Sequence, residues 1–354
     1  MSNGMFTLIL ALALYPLLFA AYTILPRERW QIIATIPTKK SAAPHGHSCW
    51  HGTNLTYYGA LLASGSLFGT MVFFLLLGAL GIPFWAIIGL ILGVMSCSVT
   101  AAKLLAMAVE KKRNTFTVGG AAIAGLVSMP PAVAAYNGLA PHFQTEPVSL
   151  IPVMGALAVA YLLGEGIGRL ACLSFGCCYG KPLAELAPKT RRIFAPFAAT
   201  FHGQTKKIAY ASGLEGVGVV PIQALTSLLS VSIGLFSMYF FLEGHCETAF
   251  LLAALFALGW RILSEYFRAD YRGEGNFSAY QQMALAGIGY CILLALYGGD
   301  GVNSQTNLDA GLAALWNPAA LLFLQALWLL LFIYTGFSTV TGAMLAFHVR
   351  KEKI

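Results

Sequence analysis

The stretch MFTLILALALYPLLFAAYTILP, Met5 to Pro26, carries no charged residue. From Phe6 to Leu25 it supplies about twenty consecutive apolar or weakly polar positions, enough for one helix to cross a hydrocarbon core of roughly 30 Å. A secretory signal would open with basic residues and close on a small-residue cleavage site. Here the first charges, Arg27, Glu28 and Arg29, come after the apolar run, so the segment reads as an uncleaved anchor.

The rest of the chain repeats this pattern. Hydrophobic residues make up 58% of the sequence and charged ones 10%, too few polar groups to cover a water-soluble domain of 354 residues. Further apolar windows fall at Tyr58 to Leu80, Phe84 to Met107, Val118 to Ala140, Val148 to Phe175, Pro221 to Leu242, Thr248 to Arg268, Ala279 to Tyr297 and Ala319 to Phe347. The expected fold class is therefore all-α, a polytopic integral membrane protein of about nine transmembrane helices. The last window is longer than a membrane needs, and Thr335 and Gly336 mark a bend or the start of an interfacial turn. Pro130 and Pro131 make a break in the fourth segment plausible.

Two polar stretches interrupt the apolar pattern, Pro26 to Thr56 and Gly176 to Val220. The formal charge of +7 raises nucleic acid as a partner, but Lys and Arg sit in short clusters between apolar windows, which excludes a single nucleic-acid surface. The clusters follow segments one, three, five, seven and nine, whereas the opposite loops, around Gly81, Pro141, Gly244 and Asp300 to Asn317, contain no Lys or Arg. The positive-inside rule then puts the N-terminus outside and the C-terminus in the cytoplasm.

Candidate chemistry concentrates in two segments. In GEGIGRLACLSFGCCYG, Gly164 to Gly180, residues Glu165, Arg169 and Cys172 stand at i, i+4 and i+7 and share one helix face. A buried arginine costs ~2.5 to 3.5 kcal/mol at the bilayer centre and demands a partner or a polar cavity. Gly164, Gly166 and Gly168 admit a second backbone or a lipid headgroup at close range. In WRILSEYFRADYRG, Trp260 to Gly273, a helix continuing through Arg268 would present Arg261 and Arg268 around Glu265. Planar guanidinium forks suit phosphate, and a carboxylate between two of them fixes their orientation. An ion pair that only joins helices explains Glu165 and Arg169 equally well at this point.

Of the seven cysteines, Cys172, Cys177 and Cys178 lie near Arg169. They read either as reactive thiols with a lowered pKa or as small packing residues. On a helix the vicinal pair Cys177 and Cys178 would point apart. His45, His47, Cys49 and His51 form HGHSCWH, a weak metal signal because structural zinc sites use two separated ligand pairs. A polar loop is the plainer reading, and no metal or other cofactor is expected.

These residues also carry a resemblance. The chain resembles the prolipoprotein diacylglyceryl transferase family, whose signature runs roughly GRxGNFxNGExxG; here Gly168 to Gly180 reads GRLACLSFGCCYG. Pro221-Ile222-Gln223 is similar to the opening of the family's Pro-x-Gln-Leu-Tyr-Glu motif. Trp260 to Gly273 resembles its Arg-x-x-x-Glu-x-x-Arg helix, and Ser278 to Gln281 its Ser-x-x-Gln helix start.

The resemblance implies a seven-helix core, at residues 57–298, between an N-terminal unit, 1–56, and a C-terminal one, 299–354. It implies a multi-pass protein of the bacterial inner membrane that moves the diacylglyceryl group of phosphatidylglycerol, or a related anionic phospholipid, to the cysteine thiol of a lipoprotein precursor. On this carry-over Arg169 and Arg261 hold the donor phosphate, Glu265 orients Arg261, and Gly180, Gln223, Arg268, Gly119 and Gly120 complete the lipid site. Cys172 and Cys177 occupy the signature asparagine and glutamate positions and stand as catalytic candidates. Val118 replaces the family's histidine, Ala257 its tyrosine, and Leu225 and Thr226 its Tyr-Glu. These departures keep two alternatives open, a changed acceptor and a non-catalytic phospholipid-binding or transport protein; a metal or thiol-redox membrane protein is the third class. Family members also expose the signature loop outside, opposite to the side that the charge count gives Gly180.

Overall fold

In the computed structural model, residues 1–42, 48–109, 118–143, 145–269, 278–298, 305–346 and 350–354 are described. Ser2 opens the first helix, its hydroxyl accepting from the Met5 amide at 3.3 Å, and each apolar window continues as a helix because a backbone in lipid must satisfy its own hydrogen bonds. The helices are α1 (Asn3–Ile24), α2 (Tyr57–Ala79), α3 (Phe84–Val109), α4 (Val118–Leu139), α5 (Leu150–Phe175), α6 (Pro188–Phe194), α7 (Lys207–Ser212), α8 (Ile222–Leu242), α9 (Cys246–Glu265), α10 (Ala279–Tyr297), α11 (Leu308–Leu315) and α12 (Pro318–Gly336). Among the described residues nine of them are long and apolar enough to cross a membrane, one in each expected window. Pro130 and Pro131 do not break α4, which runs unbroken past both.

Helix α5 is the axis of the bundle, packed by α2, α8, α9, α4 and α1. Its glycines decide how close those neighbours come. A Cβ on Gly65 of α2 would lie 2.5 Å from the Gly168 amide nitrogen and 2.9 Å from the Gly164 carbonyl, so α2 and α5 cross backbone to backbone. On another face the Ser227 hydroxyl of α8 donates to the Gly166 carbonyl at 2.5 Å. The open positions at Gly164, Gly166 and Gly168 are thus filled by helices, not by a lipid headgroup.

Among the described residues five strands accompany the helices: β1 (Ile32–Ala42), β2 (Ser48–Thr56), β3 (Ala199–Thr200), β4 (Gly218–Val219) and β5 (Phe337–Ala346). The polar stretch after α1 supplies two antiparallel strands, β1 and β2, so that Ser48 to His51 of the motif read as a loop stand in a strand, and β5 adds to them in the order β1-β2-β5, antiparallel throughout. The β-branched runs IIATI and STVT favour this pleated form. Buried Asn54 on the central strand ties all three together, accepting from Thr35 Oγ1 at 2.7 Å and donating to the Thr341 carbonyl at 2.6 Å. The bend expected at Thr335 and Gly336 is the point where α12 ends and β5 begins. There Gly59 and Gly336 meet so closely that a Cβ on Gly59 would sit 2.1 Å from the Gly336 Cα.

The sheet lies at the same end of the bundle as the segment after α5. The Gln31 side chain donates to the Thr205 carbonyl at 2.6 Å, Thr205 Oγ1 donates back to Gln31 at 2.8 Å, and the His202 amide bonds the Pro26 carbonyl at 3.1 Å. At the centre of this junction Lys206 is fully buried, its Nζ donating to the carbonyls of Ser174 at 2.6 Å and Leu25 at 3.3 Å. One cation therefore joins the C-terminal ends of α1 and α5, where the helix dipoles favour positive charge.

Candidate functional site

Helix α5 ends at Gly176, whose φ of +70° no other residue type adopts as readily; its amide closes the last turn on the Cys172 carbonyl at 2.9 Å. The chain then doubles back, and Cys178 is also left-handed at φ 56°. These two reversals bring the Sγ atoms of Cys172, Cys177 and Cys178 within 4.8 Å of one another. The expectation that the vicinal pair points apart fails because neither residue is helical. Of the two readings of the thiols, the one with a lowered pKa fails at Cys177. Hydrogen bonds to Cys172 and Cys178, together with burial, hold its thiol well above the usual thiol range.

Four residues before Gly180, the same turn leads into an extended segment that crosses to the end of α9. Gly180 and Arg268 form an antiparallel bridge, with the Lys181 amide on the Phe267 carbonyl at 2.8 Å and the Ala269 amide on the Tyr179 carbonyl at 3.1 Å. A Cβ at Gly180 would stand 2.4 Å from the Val220 carbonyl oxygen, so the position admits only glycine without movement. This bridge corrects the reading of Arg268 as part of the α9 face. Helix α9 stops at Glu265, and Arg268, 8% exposed, is placed by the extended backbone.

Arg169 is 8% exposed and ion-paired through its Nη2 to Glu165 one turn earlier on α5. Its Nε has no hydrogen-bond partner among the described residues. Arg268 lies within electrostatic reach of Arg169, and Tyr161 within reach of Glu165, Arg169 and Arg261. Arg261 on α9 stands over the Tyr280 ring at 5.1 Å and lines a cavity of about 30 Å³ together with Tyr161, Ala122, Ala257 and Tyr280. The cavity holds about one water rather than a headgroup. The side chains thus gather three guanidiniums and two carboxylates at one end of parallel helices α5 and α9.

The polar residues around this cluster are held by specific bonds. Gln223 is buried, with its amide nitrogen donating to the Cys177 carbonyl at 2.9 Å. Ser278 and Gln281 form a capping box that starts α10, and the Gln281 side chain also reaches the Ile262 carbonyl of α9 at 3.2 Å. The family model for prolipoprotein diacylglyceryl transferases matches residues 48–297.

The chain belongs to the prolipoprotein diacylglyceryl transferase family. No individually curated protein matches it. The family match begins at β2 and ends with α10, so α1, β1, α11, α12 and β5 lie outside it. Both additions pair with β2, the first family element, and thereby make it the centre of the sheet. As a member of this family the protein is a multi-pass membrane protein of a transferase class.

Most of the residues singled out in the family's motifs come together: Arg169, Arg268, Gly180, Gln223, Cys172 and Cys177 meet around the turn after α5, and Arg261 and Glu265 stand on α9 one turn apart. Gly119 and Gly120 open α4, one turn or less before Ala122 of the cavity wall. Cys49 and His51 face strand neighbours in β2, while His45 and His47 fall outside the described residues. His202, at the start of the segment that meets the sheet, has an exposed side chain. Sequence reasoning missed Tyr58, Tyr161, Tyr280 and Lys206. Tyr161, four residues before Glu165, was readable from helical spacing. Tyr58, in tilted contact with Phe175 at 5.5 Å between ring centres and within reach of Arg169 and the thiols, and Tyr280 reach the cluster from distant helices and left no local signal.

Proposed function

We propose that the protein transfers the diacylglyceryl group of an anionic phospholipid, of the phosphatidylglycerol class, to a thiol acceptor. The observation that carries this reading is the buried guanidinium pair of Arg169, on α5, and Arg268, on the segment after α9 that bridges to Gly180, with Tyr161 within electrostatic reach of both Arg169 and Arg261. When the acceptor sulfur attacks the diacylglyceryl carbon bonded to the phosphate oxygen, the sulfur–carbon bond forms, that carbon–oxygen bond breaks, and the headgroup leaves as glycerol phosphate. The negative charge that grows on the leaving oxygen is what fixed guanidiniums stabilise, without reorganisation at the moment of reaction. Glu165 holds Arg169 by its Nη2, and its Nε remains available to a phosphate oxygen. Glu265, one turn beyond Arg261, is the corresponding orienting carboxylate on α9.

The expected membrane is a bacterial inner membrane and the family's acceptor a lipoprotein precursor. Val118 and Ala257, in place of histidine and tyrosine, favour a second reading in which the protein binds phospholipid without turnover. Purified protein given phosphatidylglycerol labelled in its headgroup, with a cysteine-containing acceptor peptide, separates the two. Labelled glycerol phosphate and a thioether-linked peptide support transfer. Headgroup binding without release, across thiol, amine and hydroxyl acceptors, supports the non-catalytic reading.

A further inference from the structure

The three thiols at the end of α5 have no task in donor binding, and they converge where the family signature has asparagine and glutamate. We infer that Cys172, Cys177 and Cys178 form a site for one thiophilic divalent cation of the zinc class, whose open fourth position takes the acceptor thiol as a thiolate. The role of the fourth position rests on the transferase reading above; the metal site does not.

Geometry is the first argument. Tetrahedral zinc with sulfur ligands at ≈ 2.3 Å needs sulfurs separated by about 3.8 Å. The three Sγ atoms already lie within 4.8 Å of one another, so closure on a metal requires only small rotations. A strained backbone produces this convergence: Cys178 is the one non-glycine residue with positive φ among the described residues. Strain of this kind persists where the surroundings fix it, and it clusters at functional sites.

Charge is the second argument. Three thiolates and a divalent cation sum to one net negative charge. Arg169, whose Nε has no partner among the described residues, lies within electrostatic reach of Cys172 and Cys178, and Arg268 lies within reach of Arg169. A guanidinium beside a thiolate–metal unit offsets its charge in a water-poor setting.

Chemistry is the third. Thiol alkylation needs the acceptor as thiolate, and Val118 stands where a histidine base would be. A metal deprotonates a coordinated thiol directly. On binding, the metal displaces three protons from the cysteines to solvent, and the incoming acceptor thiol releases a fourth. The coordinated sulfur then forms a bond to the glycerol carbon, the carbon–oxygen bond to phosphate breaks, and glycerol phosphate leaves with the electron pair. No oxidant or reductant enters.

The test uses the full-length protein in detergent, reduced and freed of metal with a chelator. His45, His47 and His51 are replaced by Ala so that the HGHSCWH segment does not contribute. With zinc alone as probe, one equivalent retained after desalting is expected, and cobalt in its place should give thiolate-to-metal charge-transfer absorption. The variant Cys172→Ser with Cys177→Ser should lose both while eluting as a folded monodisperse species, and Cys97→Ser should keep them. Absence of retained zinc and of the cobalt band in the protein with all three cysteines overturns the site without recourse to any variant. So does equal retention by the double variant. In the transfer assay, chelation should lower the rate on the order of a hundredfold, the scale of a lost general base, and zinc should restore it. Transfer indifferent to chelation overturns the role of the fourth position. Bound zinc with no transfer to any acceptor overturns that role together with the transferase reading, and leaves the metal site standing.

Discussion

Gly180 and Arg268 are backbone partners: an isolated antiparallel bridge joins the turn after α5 to the end of α9, and through it one buried guanidinium is carried toward another. The bridge depends on Val220, whose carbonyl oxygen would be 2.4 Å from any Cβ at residue 180. Gly180→Ala should therefore displace Val220 and the bridge together. Overpacking of this kind costs about 1 to 3 kcal/mol, seen as a lower melting temperature in detergent. Transfer should fall further than stability does, since the bridge sets where the Arg268 backbone lies. Unchanged headgroup release in G180A would remove the bridge from the site.

Arginine and lysine differ most where a planar fork is used. Arg169→Lys keeps the charge near Glu165 but loses the Nε position, and Arg261→Lys loses the guanidinium over the Tyr280 ring. Each should lower transfer or phospholipid affinity by roughly tenfold or more, about 1.4 kcal/mol, with little change in melting temperature for R261K. Lipid binding equal to that of the unaltered chain in both variants would place the phosphate elsewhere.

Lys206 ties two helix ends and carries a pH signature. Burial pulls its ammonium down to about 8 from an ordinary value near 10.5. A cation whose pKa is lowered on folding is bound to more protons in the unfolded chain between those two values. Stability should therefore rise as pH increases from about 8 toward 10.5 and stay flat below 8, where both states are protonated. Lys206→Met should abolish that rise and, by leaving the Ser174 and Leu25 carbonyls with one partner fewer, lower the melting temperature at every pH. Thermal unfolding of both proteins from pH 7 to 10.5 tests it.

The membrane helices were legible because lipid enforces one rule on every span, and the helical spacing of Glu165 and Arg169 showed their pairing for the same reason. The sheet was not legible. Its third strand, β5, finds β2 across a long separation, as with Asn54 and Thr341, and neither outer strand carries an alternation long enough to declare itself. The thiol cluster escaped for a different reason. Helical spacing assumes that the helix continues, whereas Gly176 ends α5 one residue before Cys177 and reverses the chain. Arg268 was misplaced by the same assumption at the end of α9.

Orientation is the remaining consequence, and the fold changes how the charges should be counted. Lys206 is buried in the junction of α1 and α5 and Arg268 in the proposed phosphate site, so neither reports on the cytoplasmic side. Lys189, Arg191 and Arg192 on and beside α6 are exposed and still do, alongside exposed Ile193 and Phe197 that suit an interface. With those three retained, and the loop at Gly244 free of Lys and Arg, the count keeps the end of α5 in the cytoplasm. Reporter fusions at Lys207 and at Asn303 should then report opposite sides, cytoplasmic for Lys207. That result would deny the site any acceptor already carried across the membrane and direct the search to cytoplasmic thiols. An external Lys207 would return exported lipoprotein precursors as the acceptor and show that α6 is held at the outer surface by its apolar side chains against its charge.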